Sequence, residues 1–135
     1  MKRFLPVILL CCPMVVSAQT IAVKVGAWEM TTKGTGFPRP MVEKECVTKA
    51  DIEQLAKGTD DDDEECKSVK PPVMTANKWS AEKKCPDGRT VKVEFVAEST
   101  EKIVGTVMSA APKGGQDMRI DIAGRWLGAS CAGIK

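Results

Sequence analysis

Few residues in this chain are suited to chemistry, and most of those are cysteines and carboxylates. There are six cysteines and no histidine in 135 residues. Without imidazole there is no Ser-His or Cys-His nucleophile pair, and no His to complete a Cys/His zinc site. No Cys-x-x-Cys redox spacing occurs, nor any phosphate-cradling or dinucleotide-binding glycine loop. Gly114-Gly115 reads as turn punctuation. Paired carboxylates are the one catalytic device the inventory allows, as in glycoside hydrolysis. Yet Glu29, Glu94 and Glu98 fall where an alternating strand faces solvent. Arg125 beside Trp126 could bind an anion or stack on a ligand, although an outward Arg next to an inward Trp is also the usual pattern of a strand. These two are therefore the candidate ligand or partner contacts, and no catalytic, cofactor or metal residue is expected.

Six consecutive carboxylates, Asp60-Asp61-Asp62-Asp63-Glu64-Glu65, raise the question of calcium. A calcium loop of the EF-hand kind spaces its oxygens around a glycine turn and ends on a Glu. This run has neither feature, and its charges repel one another, so a solvated loop is the expectation.

The compartment follows from the first residues. Lys2 and Arg3 precede an apolar run of 13 residues, 4–16, and then Val16-Ser17-Ala18. That order of charged, apolar and small residues is a secretory leader, with cleavage expected after Ala18. The run is shorter than the ~20 apolar residues a membrane span needs, and Pro6 and Pro13 interrupt it. Lipidation at Cys11 or Cys12 is the alternative, although Leu10 and Cys11 are not the small residues such processing favours. Residues 1–18 are thus read as a cleaved signal peptide and 19–135 as a single domain, periplasmic or secreted.

Loss of the leader removes two of the 20 basic residues and none of the 18 acidic ones, so the mature domain is formally neutral. A nucleic-acid partner, which asks for a basic face, is not expected. The leader also carries off Cys11 and Cys12. Cys46, Cys66, Cys85 and Cys131 remain, an even number that in an exported small domain reads as two disulfides. Three pairings satisfy that count. Cys46–Cys66 with Cys85–Cys131 is the preferred one, because its first bridge would close the helical excursion locally.

These residues must be positioned by strands. Apolar and polar residues alternate most clearly at 91–98, where Val91, Val93, Phe95 and Ala97 share one face. Polar turns flank it at Pro86-Asp87-Gly88 and Glu98-Ser99-Thr100-Glu101, and a returning strand at 102–110 ends at Pro112-Lys113-Gly114-Gly115. The last strand, 116–127, sends Met118, Ile120, Ile122 and Trp126 inward. Earlier strands are expected at 23–32, 41–47, 67–70 and 77–85. One short helix follows Thr48, whose hydroxyl can cap it while Asp51 bonds back, with Ile52, Leu55 and Ala56 on one face and Gly58 as its stop. The fold class is therefore mainly β: an antiparallel meander of about six to seven strands, curled like a half-barrel, with one short helix.

Three segments resemble a known family. Lys24-Val25-Gly26-Ala27-Trp28-Glu29-Met30-Thr31-Thr32 is similar to the opening signature of the bacterial domain of unknown function 3617. Cys46-Val47-Thr48-Lys49-Ala50-Asp51 resembles that family's cysteine and short capped helix, and Gly124-Arg125-Trp126-Leu127-Gly128-Ala129-Ser130-Cys131 its closing segment. The chain departs from the pattern at Val25, where a proline is expected, and in its acidic run. The resemblance implies a small exported Gram-negative protein with paired cysteines, and it carries no functional residues across.

With no catalytic constellation and a two-faced sheet, the reading is a non-catalytic binding or interaction module for a protein or small molecule. The alternatives are a lipocalin-like carrier of a small apolar ligand, which needs a cavity of roughly 300 Å3 or more, and a carboxylate-based hydrolase. No cofactor is expected, nor any stable membrane span once the leader is gone.

Overall fold

Side chains alternate with a period of two along a strand, so one apolar face dictates how every neighbouring strand must register. The computed structural model describes residues 20–57 and 66–134. The leader with Cys11 and Cys12, the expected cleavage after Ala18, the Gly58 stop and the acidic run lie outside the described residues. Within them the chain forms β1 (Gly26–Gly34), β2 (Met41–Val47), α1 (Lys49–Lys57), β3 (Lys67–Ser68), β4 (Val73–Met74), β5 (Lys78–Lys84), β6 (Thr90–Ser99), β7 (Lys102–Ala110) and β8 (Met118–Gly128).

All eight strands belong to one antiparallel sheet with the order β2-β1-β8-β7-β6-β5-β3, and β4 also pairs with β5. The expected meander is there as β5 to β8. The tally reaches eight because β4, a two-residue piece alongside β5, adds to the seven expected, and the strand expected at 67–70 is cut to β3. β1 closes against β8 rather than β5, which brings the two ends of the domain together.

Register places one apolar row across five strands: Trp79 opposite Phe95, Phe95 opposite Gly105, Gly105 opposite Ile122, and Ile122 opposite Thr32. The row beside it runs Ala97, Ile103, Gly124, Met30. On the other face stand Lys78, Lys92, Glu94, Thr106, Asp121, Arg125 and Glu29.

The sheet curls toward its apolar face without closing. β2 and β5 are five steps apart in the strand order, about 24 Å in a flat sheet at ~4.8 Å per step. Yet Val47 of β2 and Trp79 of β5 line one cavity and pack into one cluster. Helix α1 spans that gap, carrying the chain from the β2 edge to the β3 edge.

Its start matches the sequence pattern. Asp51 N–H donates to Thr48 Oγ1 at 3.3 Å, and Thr48 N–H donates to Asp51 Oδ2 at 2.7 Å, a reciprocal cap. Ile52 is buried on the face that meets the sheet.

This crossing also corrects the expected disulfides. Cys46 pairs with Cys131, and Cys66 with Cys85. Sequence proximity suggested that Cys46 and Cys66 flank a local excursion, but α1 separates them to opposite edges of the sheet. Lys67 lies opposite Lys84, so Cys66 continues the same ladder to face Cys85. At the other edge, both Cys46 and Gly128 register with Ala27 of β1, and the tail leaving β8 turns back to Cys46. The loops closed span 19 and 85 residues, worth about 3 and about 4.5 kcal/mol in the chain-entropy account.

Candidate functional site

The apolar face is incompletely filled. Only Ile21, Ala27, Trp28, Ile52 and Trp79 are buried hydrophobic residues among those described. Many other apolar side chains on this face are half-exposed, and several surround a cavity of about 620 Å3 between α1 and the sheet. Its floor is Trp28 and Met30 of β1, Trp79 of β5, Phe95 of β6 and Ile103 of β7; its roof is Ile52 and Leu55 of α1.

Each wall is held by an identifiable contact. Trp79 donates its indole N–H to the Leu55 carbonyl at 3.0 Å, satisfying an acceptor in the last turns of α1. Its ring meets Phe95 at a centroid distance of 5.9 Å. Trp28 donates to the Lys24 carbonyl at 2.8 Å. The segment before β1 closes one end: Ala22 N–H bonds Ala76 O at 2.7 Å, Lys24 N–H bonds Thr100 O at 2.8 Å, and Ile21 and Val23 face the cavity.

Two glycines set its depth. A Cβ on Gly105 would sit 2.4 Å from the Phe95 ring, and one on Gly124 would sit 2.7 Å from Met30 Sδ. Phe95 and Met30 therefore lie down over bare backbone instead of standing into the cavity.

Polar groups reach the lining from one side: Glu45 of β2, and Asp51 and Gln54 of α1. The Asp51 carboxylate accepts from the Thr48 hydroxyl and N–H, which holds it below the usual carboxylate range. Glu45 has no ion-pair partner among the described residues.

The expected contact pair is divided between the two faces. Arg125 Nε donates to Glu29 Oε1 at 2.8 Å across β8 and β1, an ion pair that lowers the Glu29 carboxyl and raises the guanidinium. Trp126 lies on the opposite side, donating to Val25 O at 3.0 Å beneath the Lys24 ammonium, 4.4 Å from its ring centroid. Neither residue lines the cavity. Both complete contacts at the β1–β8 seam.

On the outer face a shallower depression of about 370 Å3 includes Glu94, Thr106 and Asp121 in register across β6, β7 and β8. Glu94 pairs with Lys78 at 2.7 Å and Asp121 with Arg119 at 3.0 Å. The Arg119 hydrogen bond holds Asp121 below the usual range, opposite to the raised value a general acid uses at neutral pH. Among the described residues no group of three or more His, Cys, Asp or Glu is arranged to hold a metal ion, and no helix is long and apolar enough to cross a membrane.

A family model described as "Protein of unknown function (DUF3617)" matches residues 23–131, from the segment that closes the cavity to the cysteine after β8. The chain belongs to the DUF3617 family. No curated protein and no solved structure matches it. The matched span contains all the described strands, α1, all four bridged cysteines and every residue of the cavity lining except Ile21.

Sequence reading had placed Phe95 on the apolar face of its strand and Leu55 on the apolar face of its helix, but had not identified Glu45 or Ile103 as their neighbours. The signal in β2 was Glu43-x-Glu45-x-Val47, a period-two row ending in an apolar residue. Only the crossing of α1 reveals that this row borders the cavity.

Proposed function

We propose that this chain is a non-catalytic, exported binding module that holds a small apolar ligand between α1 and the curled sheet. One observation carries the reading. A half-open cleft of about 620 Å3 lies beside the packed Ile21, Ile52 and Trp79 cluster and is bordered by Met30, Phe95 and Ile103, a volume within the ~300–1,000 Å3 range of small-molecule sites. The two disulfides support export, since such bridges persist in oxidising compartments, and they agree with the leader read from the sequence.

The test is titration of the oxidised protein, expressed from its full reading frame, with the neutral apolar fluorophore N-phenylnaphthylamine. Saturable micromolar binding that quenches tryptophan emission is expected. Ile103→Trp, which fills the floor, should abolish that binding while leaving a cooperative thermal melt. Failure of the native protein to bind the fluorophore would falsify the carrier reading.

A further inference from the structure

The cavity has a charge polarity that restricts what enters it. Among the described residues its lining includes two carboxylates, Glu45 and Asp51, and no lysine or arginine. Glu45 stands opposite Trp28 and Glu43 opposite Met30, so both glutamates lie on the face of β2 that continues these two walls. Both are exposed, and neither has an ion-pair partner among the described residues.

Three cations of the adjoining segments are directed elsewhere. Lys44 points to the outer face opposite Glu29. Lys49 pairs with Glu53 at 3.8 Å on the exposed side of α1. The Lys24 ammonium is taken by Glu101 and the Trp126 ring. One border of an apolar cavity is thus left with uncompensated negative charge.

Building on the cavity reading, we infer that the occupant is an amphiphile with a cationic headgroup, its apolar chain against Trp79, Phe95 and Ile103 and its amine or quaternary ammonium beside Glu45 and Glu43. An anionic amphiphile, such as a fatty acid, would set its carboxylate against these two and is disfavoured by the same geometry. The attraction acts at an exposed rim, so it ranks ligands of equal chain length and does not supply most of the affinity.

The experiment displaces N-phenylnaphthylamine from the oxidised full-length product with three twelve-carbon amphiphiles below their micellar concentrations: dodecyltrimethylammonium, dodecyl maltoside and dodecyl sulfate. The cation is expected to bind about three- to tenfold more tightly than the neutral compound, the range of one or two exposed charge contacts, and the anion more weakly. High salt should compress the ranking. Glu43→Gln with Glu45→Gln should abolish the preference for the cation over the maltoside, whereas Glu94→Gln on the outer face should leave that preference unchanged.

A flat or inverted ranking in a protein that still binds the neutral fluorophore overturns the headgroup inference and leaves the cavity reading standing. So does a cation preference that survives the double substitution, since the attraction then comes from elsewhere, including the acidic run. If no fluorophore binds at all, both readings fall.

Discussion

Trp79 and Leu55 are 24 residues apart, and the indole N–H of the first donates to the backbone carbonyl of the second at 3.0 Å. That bond joins the β5 edge to the helix that comes from the β2 edge. It therefore acts as a clasp across the open side of the sheet, above the cavity.

Replacing Trp79 separates its two contributions. Trp79→Phe keeps an aromatic wall but leaves the Leu55 carbonyl without its donor, and should lower unfolding stability by about 1 kcal/mol. Trp79→Ala also removes the buried ring and should cost about 3–5 kcal/mol. Urea titration monitored by far-ultraviolet circular dichroism reads both. Equal stability of Trp79→Phe and the native protein would show that the clasp contributes nothing.

The bridges make a prediction of connectivity and of rank. A non-reduced peptide digest should yield Cys46 joined to Cys131 and Cys66 joined to Cys85. Cys46→Ala with Cys131→Ala should destabilise more than Cys66→Ala with Cys85→Ala, because the loop released is longer. Recovery of a Cys46–Cys66 peptide from the native protein would contradict the fold, since α1 holds those positions at opposite edges.

Gly105 and Phe95 should behave as one unit. Gly105→Val places a side chain where the Phe95 ring now lies, with the first added carbon only 2.4 Å from it. The expected cost is about 1–3 kcal/mol for overpacking, together with weaker fluorophore binding as the ring is driven into the cavity. Phe95→Leu in the Gly105→Val background should recover part of the stability, which a double-mutant cycle measures as coupling. Strict additivity of the two changes would mean that they do not touch.

Acid should weaken the fold through three carboxylates. Hydrogen bonds from Arg125 to Glu29, from Thr48 to Asp51 and from Arg119 to Asp121 hold each below its ordinary value in the folded chain. The unfolded chain then takes up protons first as the pH drops, so their stabilisation is complete above about pH 5 and is lost as the pH falls through the unfolded and then the lower folded values. Denaturant midpoints should decline on the acid side, and Glu29→Gln, Asp51→Asn and Asp121→Asn combined should flatten that decline. Asp51 is exposed and Glu29 and Asp121 are only half-buried, so the effect should also shrink in high salt. An unchanged acid profile in the triple variant would assign the decline to other groups.

Much of the architecture was readable before any coordinates. The alternation at Val91, Val93, Phe95 and Ala97, the turn at Pro86-Asp87-Gly88 and the Thr48–Asp51 cap are local patterns, and each appears where its residues placed it. β4 escaped notice because two residues carry no period. Arg125 and Trp126, adjacent in a strand, were already expected on opposite faces; what the sequence did not show was the partner of each, Glu29 for Arg125 and the Val25 carbonyl for Trp126.

Taken alone, the order of residues determined that an alternating, cysteine-bearing chain would make an antiparallel sheet with one apolar face and one short helix. Hydrophobic period, turn chemistry and capping act over a few residues, so they are written locally. Which cysteines join, which glutamates border the apolar space, and whether that space is filled depended on the path of α1 across the open side of the curled sheet. That path brings together positions with no fixed separation along the chain, and only the tertiary structure decides it.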